Sequence, residues 1–196
     1  MKFIEGIFIL MGDRDMKYAI ELYFDKDTEQ KIIKLAEGIA KEGISKKYLE
    51  WKTRPHITIA IFNDIDIEKC DQILKEIAKE TKPFKALLSS IGVFNNTKTV
   101  YLAPVVCDKL ISLHKRVHKA FDFCDHSGWE YYTTGQWVPH CAVMLGSEDE
   151  KSALIEATRY VIENYQVIEN SRYEEIGFVE ITMPVKEIKV HKLSPI

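Results

Sequence analysis

The chain has 196 residues, 46% of them apolar, and a formal net charge of −3. That apolar content excludes a disordered polymer, and the slight acidic excess excludes a protein that coats long nucleic acid, which needs a basic surplus to neutralise phosphates. Four cysteines without C-x-x-C spacing, and no signal-peptide pattern, point to free thiols in a reducing cytoplasm.

The first apolar run, residues 7–11, is too short to span a membrane. Regular patterning begins at Met16-Lys17, so residues 1–15 are read as an N-terminal appendage or as lying before an alternative translation start. Residues 17–24, rich in Tyr, Ile, Leu and Phe, predict a strand. Asp25 and Asp27 then offer helix caps, and Ile32, Leu35, Ala36 and Ile39 recur at helical spacing until Gly43. A strand over 56–62 follows. Asp66 starts a second helix, with Ile67, Cys70, Leu74 and Ile77 on one face. Residues 84–94 and 99–106 read as strands joined by Asn95-Asn96-Thr97-Lys98, a turn composition. A third helix is predicted over 108–123. A polar, aromatic stretch at 125–136 leads into a strand over 137–145. Ser147-x-x-Glu150 reads as a capping box before a helix carrying Leu154, Ala157, Val161 and Tyr165 inward. Strands at 173–182 and 185–193 close the chain. Strands alternating with helices, and hairpins among them, indicate an α+β fold with antiparallel sheets.

Two segments spell nearly the same phrase: Arg54-Pro55-His56-Ile57-Thr58-Ile59 and Val138-Pro139-His140-Cys141-Ala142-Val143, with the histidines 84 positions apart. Strand faces repeat every second residue. His56 and Thr58 are therefore expected on one face, with Ile57, Ile59 and Ile61 on the other. In the second copy, His140 and Ala142 oppose Cys141, Val143 and Leu145. If the polar faces oppose each other, two imidazoles look across one cleft. Histidine suits acid–base work because its unperturbed pKa of ~6.5 lies near working pH.

Around the motifs, Lys46, Lys47, Lys52 and Arg54 form a local basic cluster. Arg54 is the member read as a phosphate contact. Phe94, Tyr101, Tyr132 and Trp137 are aromatic candidates for stacking on a base, and Trp137 is taken as substrate-binding. Rival constellations are weaker. His114 and His118 have a zinc-compatible spacing but lack the H-E-x-x-H glutamate, and read as a half-exposed helix face. Cys124-Asp125-His126 has no second cluster to complete it. Gly38 and Gly43-Ile44-Ser45 miss the lysine of a phosphate loop, and Gly43 reads as a helix C-cap.

The paired His-x-Thr-like motifs, together with Leu87-Leu88-Ser89-Ser90-Ile91-Gly92-Val93-Phe94 and the strand after it, resemble the 2H phosphoesterase superfamily. The similarity is to its branch of 2′-5′ RNA ligases and 2′,3′-cyclic phosphodiesterases. The resemblance implies a single bilobal domain over 16–196. Two antiparallel sheets with outer helices would be related by a pseudo-two-fold around a central cleft. It implies chemistry on cyclic or 2′-5′ phosphodiesters, hydrolytic and possible in reverse as ligation, without metal or other cofactor. The partner would be a small nucleotide or an RNA end, with no extended nucleic-acid footprint and no membrane; oligomeric state is left open. His56 and His140 match the catalytic positions and Thr58 a substrate-binding one. The fourth position departs from the pattern, because Ala142 stands where a threonine or serine is expected. That departure supports an alternative: a nucleotide-binding module with weak or no turnover.

Overall fold

The computed structural model describes residues 18–146 and 150–194. The appendage read at 1–15 and Ser147 of the capping box lie outside the described residues. Strand β1 (Tyr18–Phe24) leads to helix α1 (Lys26–Lys41), which Asp25 caps by accepting the Thr28 N–H at 2.9 Å. Gly43 follows that helix at φ +73°, a left-handed conformation that glycine adopts without Cβ strain. A short helix, α2 (Lys47–Glu50), which the sequence did not announce, precedes β2 (His56–Phe62). Helix α3 (Ile67–Lys79), capped by Asp66, leads to β3 (Phe84–Lys85) and β4 (Leu88–Phe94). The single strand predicted over 84–94 is thus two pieces. Next come β5 (Thr99–Pro104) and α4 (Asp108–Ala120). A 3₁₀ turn at Glu130–Tyr132 organises the polar aromatic stretch before β6 (Cys141–Met144). Helix α5 (Lys151–Asn164) then starts with Glu150 at its N-cap, and β7 (Arg172–Glu180) and β8 (Lys186–Lys192) complete the order.

All strand pairs are antiparallel. One sheet has five strands, with β1 between β2 and β7 while β3 and β8 pair with β7; the other runs β4-β5-β6. The fold is α+β with two antiparallel sheets, as expected. The sheets are unequal in size, so what recurs between them is local.

That local recurrence is a bulge. Along β1, Ile20 pairs with Ala60 but Glu21 pairs with Thr58, which leaves Ile59 unopposed. Along β5, Val100 pairs with Met144 but Tyr101 pairs with Ala142, which leaves Val143 unopposed. An extra residue shifts the alternation of faces by one. Strict alternation over 56–61 therefore fails. Ile57, Ile59 and then Ala60 enter the main core, while Ile61 turns to the same side as His56 and Thr58. Leu145 likewise joins His140 and Ala142, not Cys141 and Val143.

The back faces of both sheets share one apolar core. Ile20, Leu22, Ile57 and Ile59 of the first sheet are fully buried, as are Val100, Leu102, Cys141 and Val143 of the second. At roughly 25 cal/mol per Å² of apolar surface removed from water, this shared core orients the opposite faces toward each other. Helix α1 packs on β6 as well as α5, and α4 packs on β2, so helices tie one sheet to the other. No helix among the described residues is long and apolar enough to cross a membrane.

Candidate active site

Between the sheets lies a cavity of about 580 Å³, and both motif histidines line it. Its first wall is Ala19 and Glu21 of β1 with His56, Thr58 and Ile61 of β2. Its second is His140, Ala142 and Leu145 around β6, with Phe94 and residues 95–97 of the β4–β5 turn. Tyr48, Trp51, Trp129, Tyr131 and Tyr132 add an aromatic rim. The motif positions His56, Thr58, His140 and Ala142, distant in sequence, are brought to one space.

The two imidazoles are held alike. His56 Nδ1 lies 2.6 Å from the Arg54 carbonyl, and His140 Nδ1 lies 2.8 Å from the Val138 carbonyl. In each case the acceptor belongs to the residue just before the proline. A carbonyl can only accept, so Nδ1 carries the hydrogen, and Nε2 is the nitrogen left for chemistry. Proline holds its predecessor extended, which aims that carbonyl back at the histidine. The repeated Pro-His phrase is thus a device for setting a tautomer.

Their surroundings differ. His140 is half-buried, edge-on to Phe94 with ring centroids 4.7 Å apart and beside Tyr101 at 5.4 Å. Burial pushes its imidazolium down to about 4, helped by the charge of His56 and opposed by the Val138 carbonyl. Tyr101 itself packs over Gly92, where a Cβ would collide with its ring. His56 Nε2 instead lies 3.3 Å from Glu21 Oε1, and Glu21 is 5% exposed. Burial raises the Glu21 carboxyl above the ordinary carboxylate range. Glu21 belongs to no motif. Its only sequence signal is an acidic residue inside an otherwise apolar strand.

Two residues read as substrate contacts are placed elsewhere. Arg54 does not line the cavity. Its Nη2 donates to Glu29 and, at 2.7 Å, to Glu175, its Nη1 lies 3.3 Å from Glu187, and its guanidinium sits 4.1 Å over the Tyr23 ring. Three carboxylates already saturate its charge, so it clamps α1 to β7 and β8. Trp137 does not line the cavity either. Its Nε1–H donates to the Thr58 carbonyl at 3.0 Å while its ring stacks on His114 at 4.1 Å. It supports the first motif from behind. Among the other aromatic candidates, Phe94 and Tyr132 line the cavity, and Tyr101 backs His140.

The reading of His114 and His118 as a half-exposed face is corrected for His114, while His118 is half-buried. His114 is 2% exposed, and burial lowers it to about 4. Its Nε2 donates to the Tyr132 carbonyl at 2.8 Å, and His118 Nε2 donates to the carbonyl of the bulged Ile59 at 3.1 Å. Both tie structure together. No cluster of potential metal ligands occurs among the described residues.

The profile of the 2′-5′ RNA ligase superfamily matches residues 27–179. The chain belongs to that superfamily. No curated protein gives a match. Solved structures share the fold at low identity. Escherichia coli LigT complexed with 3′-AMP aligns at 14% identity and TM-score 0.58, covering 92% of this chain and 99% of its own. LigT complexed with NADP+ gives 12% and 0.54, covering 93% and 100%. The Thermus thermophilus protein TT0787 gives 12% and 0.56, covering 91% and 98%. Membership in this 2H phosphoesterase group agrees with the resemblance carried by the paired motifs.

Proposed function

We propose that this member of the 2′-5′ RNA ligase superfamily hydrolyses 2′,3′-cyclic or 2′-5′ phosphodiesters of small nucleotides or RNA ends, with His56 and His140 as acid and base. The observation that carries this reading is the pair of imidazoles on one cavity, each with Nδ1 tied to a carbonyl. Hydrolysis of a cyclic phosphate needs a base for water and an acid for the departing ribose oxygen. His140, neutral near pH 7 because burial lowers it, suits the base. It would take a proton from water on Nε2 as the water oxygen bonds to phosphorus. His56 would deliver a proton from Nε2 to the ribose oxygen as its bond to phosphorus breaks. Solvent then removes the proton from His140 and restores the one on His56. Thr58 Oγ1 would donate to a non-bridging oxygen, where negative charge grows. The reverse sequence of proton transfers describes ligation.

The cavity wall also bears on the substrate. Among the described residues it includes no lysine or arginine, and Glu21 is its carboxylate. A monoanionic diester attached to a base that stacks on the aromatic rim fits such a wall better than a polyphosphate. The structure of LigT with 3′-AMP supports a nucleotide-sized occupant for this fold. The methyl of Ala142 on the second wall favours the other reading, a nucleotide-binding module with little turnover. Incubation with each 2′,3′-cyclic nucleoside monophosphate in EDTA separates the two. Turnover that disappears in His56→Ala and in His140→Ala establishes the enzyme. Saturable binding without product establishes the module.

A further inference from the structure

Glu21 and His56 pose a problem of proton count. The His56 Nδ1 hydrogen is committed to the Arg54 carbonyl at 2.6 Å, so a neutral His56 presents a lone pair at Nε2. An ionised Glu21 presents lone pairs as well. Two acceptors 3.3 Å apart in a buried setting repel unless a hydrogen lies between them.

We propose that Glu21 and His56 hold one proton between them, and that Glu21 is thereby the residue that supplies His56 with the proton it donates. The proposal deepens the hydrolytic reading above and rests on it for its kinetic consequences. With the proton on Oε1 or on Nε2, the pair has no net charge. That lowers the cost of burying it and leaves the cavity wall free of a fixed anion facing the phosphate. When a substrate seats its leaving oxygen at Nε2, the proton passes to that oxygen as the bond to phosphorus breaks. Glu21 then faces a neutral imidazole until solvent returns a proton to the pair.

The ionisable groups around the pair do not supply or take up this proton. Tyr23 beside Glu21 on β1 and Tyr48 across the cleft are pushed far up by burial, and Tyr132 to about 12, so all three stay neutral. Cys141, on the core side of β6, is pushed to about 12 by the same cause. Arg54 and Glu187, the nearest other charges, are paired with each other. His140 is deprotonated well below neutrality. Gly177 opposes Glu21 on β7 and gives the Tyr23 ring its room, since a Cβ there would meet that ring at 2.5 Å.

The decisive variant is Glu21→Gln, which keeps size and polarity but cannot take the proton. Its pH–rate profile on a 2′,3′-cyclic nucleotide should lose the alkaline limb early. Activity should fall about tenfold at pH 7.5 but less than about twofold at pH 5.5, with the acidic limb set by His140 in place. Glu21→Asp should recover part of the alkaline limb. A uniform loss at both pH values overturns the proposal. The pairing is also read without turnover, by nitrogen and carbon NMR of the wild-type protein labelled in histidine and glutamate. At pH 7, a lone-pair signal at His56 Nε2 together with an ionised Glu21 carboxyl would overturn it. A protonated signal on either partner sustains it even if no cyclic nucleotide is cleaved, in which case the hydrolytic reading alone fails.

Discussion

Ala142 and Arg54 show how much one side chain decides in this cleft. Ala142 sits where the first motif has the hydroxyl of Thr58, two residues after its histidine and on the same cavity. A hydrogen bond to a charged phosphate contributes about 1.5–3 kcal/mol, so Ala142→Thr should raise kcat/KM by roughly ten- to hundredfold. Steady-state kinetics on a 2′,3′-cyclic nucleotide checks this, and an unchanged rate removes the hydroxyl from the argument. Arg54 carries the opposite lesson. Its position beside the first histidine motif suggests a phosphate contact, yet Glu29, Glu175 and Glu187 hold it. Glu29 is 5% exposed, and stranding it without its partner is the destabilising consequence. Arg54→Met should cost about 3 kcal/mol of stability by urea unfolding, with KM within about threefold of wild type. A large KM effect in a protein of unaltered stability would restore Arg54 to the substrate.

At the scale of elements, the two bulges matter most. Each lets a motif histidine and an apolar residue five positions on, Ile61 or Leu145, face the cleft together. The carbonyl of bulged Ile59 accepts from His118 on α4, and the neighbouring His114 fastens the Tyr132 carbonyl and stacks on Trp137. Helix α4 thus braces the first motif through the buried His114 and the half-buried His118. Such histidines make the brace sensitive to acid. His114 is lowered by burial to about 4 in the folded protein, so the unfolded chain takes up its proton first as pH falls. Its contribution is complete above the ordinary histidine pKa of ~6.5 and is lost on descending toward 4, about 3 kcal/mol in all. His114→Gln can still donate to the Tyr132 carbonyl but does not titrate. Urea unfolding at pH 7 and pH 4 should show a smaller loss in this variant than in wild type. An equal loss places the acid sensitivity elsewhere.

The whole molecule carries a net charge of −3, and its cleft wall includes no lysine or arginine among the described residues. Attraction to polyanions is therefore weak both at long range and at contact. A polyphosphate entering the cleft would add charge that nothing on the wall neutralises. ATP should bind at least about tenfold more weakly than a 2′,3′-cyclic monophosphate, which titration calorimetry on the His140→Ala variant measures without turnover. Raising salt from 50 to 200 mM should change cyclic nucleotide affinity by less than about threefold, because few counterions are released. Comparable affinity for ATP would mean that cations reach the cleft from outside the described wall.

Some of this was decided locally and so could be read from the chain. Helical spacing of Ile32, Leu35, Ala36 and Ile39, caps at Asp25 and Asp66, and the turn at 95–98 depend on neighbours a few residues away. The repeated Pro-His phrase likewise sets its tautomer through a carbonyl two residues back, so the histidine pair was visible in the letters alone. The residues that the structure sets away from the cavity wall depended on distant partners. Arg54 turned aside because three carboxylates from α1, β7 and β8 converge on it, and Trp137 because His114 and the Thr58 carbonyl occupy its ring and its N–H. Bulges opposite β1 and β5 moved Ile61 and Leu145 across their strands, which alternation counting has no means to register. Glu21 became part of the site only when antiparallel pairing of β1 and β2 set its carboxyl against His56. Periodicity and caps report forces that act within a few residues; burial, charge pairing and proton sharing arise from groups that meet only after the chain has folded.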